Sequence, residues 1–235
     1  VTAPPIPDTR IHIVREIPIE AVMPLVDFRA SAFARLKVPK ERRDDLRQSV
    51  ERLAAGGAFP LAGVYRFARA HREGTDAVLE MEDWILPTRI ALPKNAGGWS
   101  AADALADSAD AGGSLALFVV TAGRVTPQAR LRAADGKLAE AHLLEMTALA
   151  LAEACAAWMH GEVRRIWTIG PDEGFRISPG YPACPDLSVQ KTLFELLRPE
   201  AVGITLTEAM MMDPEASVSA IAFHQGKRET RDDEE

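Results

Sequence analysis

Residues 10–17, RIHIVREI, alternate apolar and polar side chains, the period of a strand with one face in a core. Over 20–36 the apolar positions recur at helical spacing, with Pro24 close enough to the start to fit a first turn. Pro39 opens a charged helix over 40–55, which Gly56 and Gly57 close. Strands are expected from Leu61 to Ile85, broken by a loop around His71 to Thr75. The stretch 86–113 holds Pro87, Pro93 and two Gly-Gly pairs, and reads as irregular apart from a short Ala-rich helix near 100–107. Residues 115–121, LALFVVT, form a continuous apolar run, as a strand covered on both faces does, and VTAG then leads into a loop.

The strongest signal is a helix over about 137–166. Between Met146 and Met159 its only carboxylate is Glu153, so most of its surface must be buried and it forms the spine of the fold. A loop dense in proline and glycine follows over 168–185, then a helix over 187–197 and alternating stretches over 202–208 and 216–223. The pattern predicts a single α+β domain over 10–223, with a twisted, mainly antiparallel sheet flanked by helices. An N-terminal tail, 1–9, and a charged C-terminal tail, 224–235, frame it.

Composition adds limits rather than an activity. The 235 residues are 47% apolar and 26% charged, enough for a sizeable core. The net charge of −7 argues against a nucleic-acid partner, which needs a basic face. No apolar run is long enough to span a bilayer and no signal pattern opens the chain, so a cytoplasmic protein without a membrane partner is expected. Two cysteines, Cys155 and Cys184, are too few for an iron–sulfur cluster or a thiolate zinc site.

Candidate chemistry centres on RISPGYPACP, residues 176–185. Three prolines around a glycine make either a rigid connector or a preformed ligand cradle, in which Arg176 would clamp a carboxylate. Glu153, set among Ala, Leu and Cys, must face a cation, a donor or a cavity; either an arginine or a ligand ammonium would satisfy it. His142, Glu153 and His160 share a helix face but lie two or three turns apart, too far for one metal ion. Cys184 as a nucleophile lacks a neighbouring base, and a packed thiol is the simpler reading. Tyr181, Trp158 and the Met210-Met211-Met212 run read as core or soft contact surface.

These residues carry a resemblance. RISPGYPACPD, then VQKTLFELL, then ITLTEAMMMDPEASVSAIAF resembles the activation domain of cobalamin-dependent methionine synthase, whose patterns are RxxPGYPACPxH and LTESxAMxPxASVSG. The helix segment LAEACAAWMHGEVRRIW is similar to the family's LAEAxAExLHxxVRxxxW, and weaker similarity runs through VTAG, LAGVYRF and LVDF. The resemblance implies a module that binds S-adenosylmethionine and supports reductive methylation, returning accidentally oxidised cob(II)alamin to methylcobalamin. By motif position, Arg176 would bind the methionyl carboxylate, and Glu153 with Asp27 the ammonium. Ser178 and Gly180 would line the adenosyl site through backbone contacts, and Tyr181 would hold the catalytic position at the mouth, facing the corrin.

Three departures accompany it. Leu187 stands where the family has His. The connection into Arg176 is shorter. The family continues past Phe223 with another strand and a helix, so the expectation is a shortened module whose sheet edge is exposed or covered by another chain. The sequence also has no DxHxxG corrinoid signature, so cobalamin would be carried by a separate corrinoid-binding methyltransferase protein. Flavodoxin or a similar one-electron donor would supply the electron. The expected role is the reactivation subunit of a split cobalamin-dependent methionine synthase; the alternative is a non-catalytic escort of a corrinoid protein that has lost S-adenosylmethionine binding.

Overall fold

The computed structural model describes residues 4, 6–29, 33, 36, 39–95, 97–107 and 113–224. The C-terminal tail from 225 onward, and residues 1–3 and 5 of the N-terminal one, lie outside these. Strands β1 (Ile11–Val14), β2 (Ala62–Glu73), β3 (Asp76–Glu80), β4 (Thr88–Ala91), β5 (Ser114–Thr121), β6 (Phe175–Ile177) and β9 (Ser217–Phe223) form one sheet. Its order is β4-β3-β2-β5-β9-β6, and every pairing is antiparallel. Strand β2 is long enough to share one edge between two partners. Its start pairs with β1 (Val14↔Gly63) and its end with β3 (Arg69↔Glu80), while β5 occupies the other edge. Strands β7 (Thr205–Leu206) and β8 (Met212–Asp213) make a separate small hairpin.

The α-helices that lie wholly among the described residues are α1 (Ile19–Val22), α2 (Arg43–Ala55), α3 (Thr126–Ala134), α4 (Leu138–Trp167) and α5 (Val189–Leu197). They cover the sheet from both sides, and the two-residue period of the strands sorts the apolar run of β5 between two cores. Ala116, Phe118 and Val120 join α4 and α2; Leu115, Leu117 and Val119 join α5. Toward α4 the neighbouring strand β9 presents Val218, Ala220 and Ala222, all small enough to let a helix rich in alanine lie close. Gly63 on β2 is part of the same economy of space: a Cβ there would come within 2.8 Å of Val120 and 3.3 Å of Met159 on α4. This is the α+β fold with a buried spine that the pattern predicts.

Three local expectations change. The helix expected over 20–36 stops early: α1 passes into a 3₁₀ turn, Met23–Leu25, and Val26 is extended. Pro24 cannot donate the next helical hydrogen bond, which breaks the α-helix there; residues 30–32, 34, 35, 37 and 38 of that stretch lie outside the described residues. The loop expected after VTAG contains α3, because Pro127 stands in the first turn, where its missing N–H costs nothing. The irregular stretch 86–113 contributes the edge strand β4. At the N-terminus, Thr9 is buried, and its carbonyl accepts from Arg66 Nε at 2.7 Å.

Candidate functional site

Helix α4 ends at Trp167 with Thr168 in the left-handed region, where its N–H caps the last turn. The Arg164 guanidinium then donates to the carbonyls of Glu173 (2.9 Å) and Gly174 (3.3 Å), which ties the return loop to the helix. Gly174, at φ 70°, is required: a Cβ would sit 2.5 Å from the Phe223 carbonyl oxygen. Phe175 next stacks on Phe223 with ring centroids 4.9 Å apart, and β6 pairs Arg176 with Ala222 of β9. Because Ala222 belongs to the face that packs on α4, Arg176 emerges on the side where Glu153 waits.

Beyond β6 the chain folds into a tight turn. Tyr181 N–H donates to the Ser178 carbonyl at 3.2 Å, Gly180 N–H to Cys184 (2.8 Å), and Cys184 N–H back to Tyr181 (2.8 Å). Gly180 is at φ 85°, and a Cβ there would meet Leu187 at 3.1 Å. The proline-rich segment is therefore a closed loop with its own hydrogen bonds, which fixes where Ser178 and Tyr181 stand.

Between this loop, α4, the 25–27 segment and β9 opens a cavity of about 610 Å³. Five of the six residues singled out in the sequence line it: Asp27, Glu153, Arg176, Ser178 and Tyr181. Gly180 does not; it is exposed in the turn, with its N–H taken by Cys184. Glu153 is the hub. It accepts from Tyr181 Oη at 2.8 Å and pairs with Arg176 Nη2 at 3.3 Å. Arg176 Nη1 reaches Ser178 Oγ only at 3.5 Å, so much of the guanidinium's donor capacity is unspent. Asp27 uses one oxygen to hold the Arg29 N–H at 2.8 Å.

The titrating groups are consistent with a binding role rather than acid–base chemistry. Partial burial, then the charge and hydrogen bond of Glu153, push the Tyr181 phenol up to about 12, so it stays protonated and donates. Burial, with a smaller push from Asp186, raises the Cys184 thiol to about 11. A thiol 1% exposed and held protonated is a packing group, which removes the basis for a cysteine nucleophile. His160 lies in α4, 6% exposed; burial first, then Arg164 and Arg176, hold it down to about 3.

Sequence reasoning missed several of the lining residues, among them Leu25, Met212, Glu215, Ser217 and Ser219. Leu25 reads from its spacing only as part of a helix, and the others lie in a segment whose motif marks the resemblance without assigning them a role. It also missed Arg66, 1% exposed in β2, which donates to the carbonyls of Thr9 and Leu196 and pairs with Asp83. A lone charge inside LAGVYRF was the available sign.

Comparisons with known proteins bear on the fold and the family. Two curated methionine synthases, of Mycobacterium leprae and Mycobacterium tuberculosis, are each 43% identical to this chain over 51 residues. That stretch is 22% of this chain and only 4% of each relative's length. Among solved structures, a crystal structure of the MetH reactivation domain bound to AdoHcy superimposes with a TM-score of 0.81 at 24% identity. The likeness covers 96% of this chain and 81% of that one, and shows that the two share a fold. Residues 37–230 match the family described as vitamin B12 dependent methionine synthase, activation domain. The chain belongs to that family.

Proposed function

We propose that this protein binds S-adenosylmethionine and supports the reductive methylation of oxidised cobalamin carried by a separate corrinoid protein. The observation that carries the reading is the meeting of Arg176, Glu153 and Asp27 around one cavity, beside a closed loop of fixed shape. An amino-acid-bearing sulfonium needs a cation for its carboxylate and carboxylates for its ammonium, and the three charged groups supply both. The cavity volume is within the range of small-molecule sites. The reactivation domain that shares the fold was crystallised with AdoHcy, the demethylated form of the same ligand, which supports the reading.

One electron from a donor such as flavodoxin and the methyl group of S-adenosylmethionine together convert cob(II)alamin to methylcobalamin and leave S-adenosylhomocysteine. This chain's residues position the reactants. Arg176 turns its spare donors to the ligand carboxylate, and Glu153 and Asp27 accept from the ammonium. Tyr181, half-exposed at the cavity mouth and bonded to Glu153, fixes that carboxylate's orientation while presenting its ring outward toward the corrin. No side chain has to move a proton, and positioning alone can supply several kcal/mol of a barrier. Among the described residues no helix is long and apolar enough to cross a membrane, and we place the protein in the cytoplasm.

Titration calorimetry with S-adenosylmethionine tests the reading. Binding is expected, and Arg176→Ala is expected to weaken it at least about tenfold, the scale of a lost charge-assisted contact. Absence of heat and of any thermal shift at millimolar ligand overturns it. A second reading, an escort that no longer binds this ligand, draws on the contact that Arg176 and Glu153 already make at 3.3 Å across the cavity. Complex formation with a corrinoid protein, with no label passing from S-adenosylmethionine to cobalt, selects it.

A further inference from the structure

The cavity wall holds more negative charge than an ammonium requires. Among the described residues that line it, three carboxylates, Asp27, Glu153 and Glu215, face one guanidinium, Arg176. Two negative charges are therefore left over. Glu215 stands at an unspecified position of the LTESxAMxPxASVSG pattern, and no role attaches to it from the sequence. It follows β8 at the start of the wall that runs on through Ser217 to Ser219, and no basic side chain lies within 4.0 Å of its carboxylate among the described residues. Its neighbour Asp213 is already paired with Arg124 at 2.7 Å. The same wall carries a second open group. Ser219 is 2% exposed and lines the cavity, and its hydroxyl makes no hydrogen bond to a described residue.

We infer that Glu215 makes this site charge-selective, favouring the sulfonium ligand over its neutral thioether product. The inference rests on the proposed binding of S-adenosylmethionine and assigns a residue to its discrimination. Once Arg176 takes the ligand carboxylate, and Glu153 and Asp27 take the ammonium, one cationic centre remains, the sulfonium. The one carboxylate without an assignment is Glu215. A sulfonium offers no N–H or O–H, so an anion can hold it only through charge, and an exposed carboxylate at the rim suffices. Methyl transfer converts the sulfonium to a thioether and cancels that attraction, so Glu215 holds substrate but not product. Product release is thereby favoured without any movement of the chain.

The test measures dissociation constants for S-adenosylmethionine and S-adenosylhomocysteine at low ionic strength, in the unaltered protein and in Glu215→Gln. The variant is expected to lose about threefold in affinity for the sulfonium and to keep its affinity for the thioether, as suits one exposed charge pair. Glu215→Lys should lower the preference further, and 0.5 M salt should shrink it in the unaltered protein. Because Glu215 is exposed, the melting temperatures of the variants should match that of the parent. Binding of both ligands with a preference unchanged by Glu215→Gln overturns this inference and leaves the proposed function standing. Failure of the unaltered protein to bind either ligand overturns both.

Discussion

Two arginines of this protein answer the same physical problem in opposite ways. Arg66 is 1% exposed, and its guanidinium is bonded to the carbonyls of Thr9 and Leu196 and to Asp83. Burial draws it below its ordinary value, with Asp83 opposing. Arg176 has a quarter of its side chain exposed and two longer contacts, 3.3 Å to Glu153 and 3.5 Å to Ser178. A buried guanidinium bonded through each of its three nitrogens, to two backbone carbonyls and a carboxylate, holds elements together; here β1's approach and the end of α5 are joined through β2. One with donors to spare, beside a cavity, is available to a ligand. Degree of satisfaction, more than burial, separates these two charges, and on the proposed function it separates structural from functional charge.

The contrast predicts where each substitution registers. Arg66→Ala should cost about 3–5 kcal/mol, since it deserts two buried carbonyls and leaves a void between layers, and a denaturant titration reads it directly. A stability change below about 1 kcal/mol would abolish the contrast.

Acid should act on a comparable scale by about pH 5. His160 and His224 are held by burial at about 3 and about 4, below the 6.5 of the free side chain, with Arg164 and Arg176 adding to the effect at His160. The unfolded chain therefore takes up protons as pH falls through 6.5, and the folded chain does not. Stability is complete above that value, falls by about 1.4 kcal/mol per pH unit for each histidine between 6.5 and 4, and levels off below 3. Thermal melts at pH 7, 6 and 5 check the sign; a flat profile would show that both rings protonate in place.

Arg176→Ala, for which the proposed function expects a large loss of ligand affinity, should cost less than about 1 kcal/mol of stability, because its ion pair is partly exposed. Smallest is Tyr181→Phe, which removes one hydrogen bond to Glu153 and keeps the ring. Stability should change by about 0.5 kcal/mol, with ligand affinity altered by less than about threefold. A loss as large as that of Arg176→Ala would place the phenol in direct contact with the ligand.

Legibility in the sequence followed how local each determinant is. Strand β5 and helix α4 declared themselves, since a run covered on both faces and a helix with one interior carboxylate leave few alternatives. The loop from Arg176 to Pro185 was legible for the same reason: its prolines and Gly180 shape it through their own backbones. Strand β4 is four residues at an edge, with only Ile90 buried, so no period could establish itself. Helix α3 buries only Ala129, and Pro127 reads as a breaker unless its place in the first turn is known. Glu215 was invisible because its position depends on β8, β9 and α4 all meeting, and nothing in DPEAS announces that.

The cavity is stitched from opposite ends of the described chain, Leu25 and Asp27 near one end and Ser217 to Ser219 near the other, with α4 between. Opening any one of these segments would dissolve the site, so a bound ligand would be lost from the forms in which one of them has opened as well as from the fully unfolded one. Occupancy then protects the whole chain at once, by about 2.7 kcal/mol at a hundredfold excess over the dissociation constant. Ligand supply would thus govern how long each molecule survives proteolysis, and the abundance of the protein would track the availability of what it binds.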